Sequence, residues 1–61
     1  DEISILIPSI KKELSNGPKT QSEIEGLLTQ FKKINIIKAL KYLETEGVVM
    51  INEFSVINLI R

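Results

Sequence analysis

Apolar residues recur at helical spacing from the start of the chain. Ile3, Leu6, Ile7, Ile10 and Leu14 repeat three or four positions apart, the mark of one buried helix face. They predict a helix over most of 2–15, with Pro8 in its middle. An interior proline removes a hydrogen bond and crowds the turn before it, whereas the first helical position accepts it. Either one helix kinks near Pro8, or the helix proper is 8–15 and residues 2–7 form a short strand. The first reading is favoured. Asn16-Gly17-Pro18 then stops the helix, because glycine takes the left-handed cap and proline cannot continue.

Thr20 and Glu23 have the spacing of a capping box, so a second helix begins there and runs through Ile24, Leu27 and Leu28. Residues 29–31 read as a short turn that points Phe31 back to the core. A third helix is predicted over 32–45. It sets Ile36, Ala39, Leu40 and Leu43 on one side and Ile34, Lys38, Lys41 and Thr45 on the other, flanked by Tyr42 and Asn35. Glu46-Gly47 ends it. The runs 48–51 and 54–60 are rich in strand formers, and Asn52-Glu53 between them predicts a hairpin with a two-residue turn. Both hairpin faces are apolar. The face carrying Ile57 and Leu59 is expected to be the open one, as a partner surface or as a seat for residues 3–7.

Sixty-one residues make a single domain over 1–61, α+β and mostly helical, and the start at Asp1 rather than Met suggests a piece of a longer protein. The chain has no cysteine and no histidine, so neither disulfides nor a Cys/His metal site staple it. No metal or other cofactor is expected, and no run is long enough to span a membrane. The absence of cysteine fits a cytoplasmic protein, or a nuclear one if the source is eukaryotic. The formal net charge is zero, which argues against indiscriminate polyanion binding. The charge is unevenly spread, however: residues 1–31 carry net −2 and residues 32–61 net +2. With 11 isoleucines, the chain holds more β-branched apolar surface than one small core easily hides.

The order helix, tight stop, capped short helix, turn, long helix, glycine, hairpin resembles the winged helix-turn-helix superfamily over roughly 3–60. The resemblance rests on Thr20-x-Ser22-Glu23-Ile24-x-x-Leu27-Leu28, then on Ile36-x-x-x-Leu40-x-x-Leu43-x-x-x-Gly47-Val48-Val49. It implies a three-helix bundle with a helix-turn-helix and a C-terminal hairpin wing. The stretch 28–49 is similar to the winged-helix tail of the middle subunit of replication protein A, through Ile36-x-x-Ala39-x-x-x-Leu43-x-x-Glu46-Gly47. Cullin-type winged helices, those of archaeal replicative helicases and archaeal ESCRT-type division proteins share the outline. Some positions depart from the commonest DNA-binding pattern. Glu25 stands where a small residue is usual, Gln30 where the turn glycine is usual, and Asn52-Glu53 where a wing tip usually carries Arg or Lys.

The resemblance implies two uses. In the first, the third helix lies against duplex DNA. Lys32, Lys33, Lys38 and Lys41 would contact phosphates, with Asn35 and Thr45 nearest to base edges. Lysine contacts position a protein without specifying sequence, so such binding would be weak, or assisted by a dimer or neighbouring domains. In the second, Ile34, Tyr42, Ile57 and Leu59 bind a protein partner in a replication, ubiquitin-ligase or division assembly. Catalysis is not expected. There is no His or Cys, and Glu23 and Glu25, two apart, do not share a helix face. Gly17-Pro18-Lys19-Thr20 lacks the upstream glycine and strand of a phosphate loop. So short a chain is also expected to lack room for a substrate cavity.

Overall fold

The computed structural model describes residues 2–60. Three helices, α1 (Glu2–Leu14), α2 (Gln21–Leu27) and α3 (Lys33–Thr45), and three strands, β1 (Lys19–Thr20), β2 (Val49–Ile51) and β3 (Val56–Leu59), follow in the order α1-β1-α2-α3-β2-β3. With 56% of the described residues helical the class is α+β, mostly helical, and the arrangement is compatible with a winged helix.

α1 runs through Pro8 as one helix rather than as a strand followed by a helix. Pro8 lies on the exposed side, and the Ser9 hydroxyl donates to the Ile5 carbonyl one turn back (3.0 Å). Leu6, Ile10 and Leu14 are buried on the opposite side, against α3. Helix α1 stops where Gly17 adopts φ of 134°, a conformation that L side chains rarely take.

α2 opens on the expected capping box. The Thr20 Oγ1 accepts from the Glu23 amide (3.2 Å), and the Glu23 carboxylate accepts from the Thr20 amide (2.8 Å). Ile24 is buried on α2, and Leu28 just beyond its end is buried too, while Leu27 turns to solvent. Phe31 packs on the rim of the core, as the turn at 29–31 requires.

α3 buries Ile36, Ala39, Leu40 and Leu43. Its C-terminus is a Schellman motif. Gly47, at φ 74°, donates to the Glu44 carbonyl (3.1 Å) and Val48 donates to the Leu43 carbonyl (2.9 Å). This reversal feeds the chain directly into β2.

The sheet is antiparallel with order β1-β3-β2, so the last strand is central. β1 is a strand that sequence patterning does not announce; it pairs Lys19 with Ile57 and Thr20 with Val56. In the hairpin Val49 faces Leu59, Met50 faces Asn58 and Ile51 faces Ile57.

The turn differs from the expected two-residue form. Asn52 donates to the Val56 carbonyl (3.1 Å), leaving three residues, 53–55, in the loop. Ser55 donates to the Asn52 carbonyl (3.0 Å) and takes φ 63°, so the loop closes on a left-handed residue, as three-residue hairpin loops commonly do. The Asn52 Oδ1 holds the loop by accepting from the amides of Phe54 (2.8 Å) and Val56 (3.0 Å). An odd change in loop length moves every β3 side chain to the other face. Ile57 is therefore 0% exposed, in the core with Val49, and Leu59 packs against the same cluster. The expectation that Ile57 and Leu59 form an open partner surface is thereby overturned. The solvent face instead carries Met50 and Ile60, with Phe54 at the turn. Residues 3–7 do not cover that face. Ile3 and Ile7 pack on the core, and Ile5 stays exposed.

Candidate nucleic-acid interface on the third helix

Successive residues of α3 turn by about 100°. The buried quartet therefore places Ile34, Lys38, Lys41 and Thr45 along the middle of the outward face, and all four are exposed. Tyr42 borders this row one turn beyond Lys38 and is 51% exposed, close to the 54% of Ile34. The result is a mixed surface in which two cations, a hydroxyl, an aromatic ring and an aliphatic side chain share one helix face.

The start of α3 breaks a local preference. Lys32 is the N-cap and makes no side-chain capping bond, and Lys33 follows in the first turn, which has no acidic residue. Two cations there oppose the positive end of the helix dipole, by about 0.3–1 kcal/mol each at an exposed site. Lys33 is partly offset by an ion pair with Glu25 of α2, at 3.7 Å. That contact also accounts for a carboxylate at a position where a small residue is usual. Among the described residues this is the one ion pair, so Lys32, Lys38 and Lys41 have no carboxylate partner there.

Asn35 is half-buried on the flank of α3 nearest α1, and its side-chain amide donates to the Glu2 carboxylate. Of the six residues expected at DNA, four are thus free on the surface: Lys32, Lys38, Lys41 and Thr45. Lys33 and Asn35 are engaged with other helices. Of the four expected at a partner, Ile34 and Tyr42 are exposed on α3, and Ile57 and Leu59 face inward. Sequence reasoning missed Met50 and Ile60 as the sheet's exposed apolar pair. It also missed Phe54 at the turn, the most exposed large hydrophobic residue among the described ones, at 74%. The signal for them was the turn chemistry of Asn52, whose side chain supports a loop longer than two residues.

Beside the hairpin turn lies an open hollow of about 410 Å³ lined by Thr20, Gln21, Ser22, Phe54 and Ser55. The expectation that the chain lacks room for a cavity of this size is corrected on volume. Its lining holds hydroxyls, an amide and an aromatic ring, and no charged side chain. Among the described residues no group of His, Cys, Asp or Glu could hold a metal ion, and no helix is long and apolar enough to cross a membrane. No protein-family model, curated protein or solved structure matches the chain significantly.

Proposed function

We propose that the chain is a non-enzymatic winged-helix module that binds duplex DNA, with α3 lying along the major groove and β2–β3 as its wing. The observation that carries this reading is the set Lys32, Lys38 and Lys41, exposed and without a carboxylate partner among the described residues. Two further features support it. Lys32 and Lys33 sit where the helix dipole disfavours them, and phosphates beside that helix start would reverse the sign of the effect. Thr45 adds a hydroxyl on the same face that can donate to a phosphate.

Fluorescence anisotropy on a labelled duplex in low salt tests the reading. Affinity should fall steeply as salt rises, because each neutralised phosphate releases counterions. A Lys38→Glu/Lys41→Glu double change should abolish the complex while the circular dichroism spectrum stays that of a folded helical domain. Equal binding by the double variant, or no binding by the parent, rejects the proposal.

One specific observation favours a second reading, a protein-interaction winged helix in a replication, ubiquitin-ligase or division assembly. Ile34 and Tyr42, each about half exposed, lie among the lysines, and tyrosine is enriched at the anchors of protein interfaces. Under this reading Tyr42→Ala weakens capture of the partner and leaves the fold intact.

A further inference from the structure

We infer that α3, on the DNA-binding reading above, contacts the duplex through its phosphates alone, and that Glu2 is the residue that withdraws Asn35 from base readout. Two-point reading of a base in the major groove comes from Arg, or less well Lys, on guanine, from Asn or Gln on adenine, or from a carboxylate on cytosine. A hydroxyl such as that of Thr45 bonds either kind of base without telling them apart. Glu44, the one carboxylate of α3, lies on the flank opposite Asn35 rather than on the outward face. α3 contains no glutamine and no arginine. Its one asparagine, Asn35, has its amide donated to the Glu2 carboxylate. To meet adenine with both of its groups, Asn35 would have to give up that bond and swing from the α1 flank to the outward face. Breaking a hydrogen bond to a charged acceptor leaves a part-buried carboxylate underpaired, a loss larger than that of a neutral bond.

The residues that remain on the outward face fit phosphates instead. Lysine ammonium groups are point charges on flexible stems, suited to backbone oxygens and poor at planar two-point recognition. Ile34, at the start of the row, offers at most an apolar contact to a thymine methyl. Glu2 thus fixes specificity from a distance. It touches no DNA, and it holds the one side chain of α3 best shaped to discriminate adenine.

Selection from a pool of duplexes with a randomised central segment tests this, using the parent chain and the variants Glu2→Ala and Asn35→Ala. The expected result is retention in low salt, no enriched consensus for the parent or Asn35→Ala, an adenine-containing consensus gained by Glu2→Ala, and a log–log salt slope near −2.7 for the parent, from three phosphates at about −0.9 each. No consensus for Glu2→Ala overturns the role given to Glu2. A consensus enriched by the parent overturns the inference while leaving the DNA reading in place. If that consensus is lost in Asn35→Ala, base readout belongs to Asn35 itself. Failure to retain any duplex overturns the DNA reading and this inference together.

Discussion

Ile51 stands opposite Ile57 across the β2–β3 ladder, and this pairing carries Ile57 into the core. Directly opposed residues of an antiparallel pair share a face, so the inward turn of Val49 and Ile51 fixes the faces of Ile57 and Leu59 as well. Ile57→Ala should cost about 2–5 kcal/mol through lost burial and the cavity left behind. A 61-residue domain has little stability in reserve, so the variant should be largely unfolded at 37 °C. Ile60→Ala, on the solvent face, should stay within about 0.5 kcal/mol of the parent. Urea denaturation of the two variants side by side checks the assignment of faces.

Two backbone positions with φ above zero give opposite outcomes. Ser55, at φ 63°, occupies the loop site that glycine fills without strain. Ser55→Gly should stabilise the domain by about 0.5–1 kcal/mol. Gly17→Ala should destabilise by about 1 kcal/mol or more although its Cβ meets nothing within 4 Å, because φ 134° is the obstacle. Gly26→Ala enters equally open space inside α2 and should stabilise by about 0.5–1 kcal/mol. Thermal melts of the three variants separate backbone strain from steric fit.

The capping box makes stability depend on acid in a definite direction. The Thr20 backbone amide donating to the Glu23 carboxylate holds its pKa below the ordinary glutamate value, helped by the Thr20 side chain and the charge of Lys19. A depressed pKa contributes stability that is fully present above the unfolded value of about 4.3 and disappears as pH falls through the folded value. Glu23→Gln should therefore be less stable than the parent at pH 7, and the gap should close in strong acid. Urea midpoints measured from pH 7 down to pH 2.5 follow it. Thr20→Ala removes the other half of the box and should cost about 1 kcal/mol.

The lysines of α3 should not be equivalent. Lys33 is exposed and committed to the partly covered Glu25 at 3.7 Å, so Lys33→Ala should change stability by less than about 1 kcal/mol. In a salt titration of DNA binding, Lys38→Ala or Lys41→Ala should each reduce the slope by about one. Lys33→Ala should reduce it by less.

The helices were legible because their causes are local. Thr20 and Glu23 are three residues apart, and the apolar rows of α1 and α3 are readable at a spacing of three and four. Pro8 left α1 ambiguous, since whether a helix survives a proline depends on what buries its other side. β1 was not legible: Lys19 and Thr20 form a strand only because Ile57 and Val56, nearly forty positions on, present a ladder to them. The open face of the hairpin was misread for want of one loop residue, and with period-two alternation one residue reverses inside and outside. The lysine face of α3 could be read from its spacing. The engagement of Asn35 with Glu2 and of Lys33 with Glu25 could not, because both contacts join different helices.

The central place of the last strand bears on how the domain is made. Both pairings of the sheet involve β3, so a nascent chain that has not yet delivered residues 56–59 has no strand partner for β1 or β2. Until then the buried face of α1 and Val49 of β2, both packed against β3, must wait with part of their cover missing. Folding during synthesis should therefore come as a single late step, and removal of 56–60 should undo the sheet as a whole rather than trim one edge.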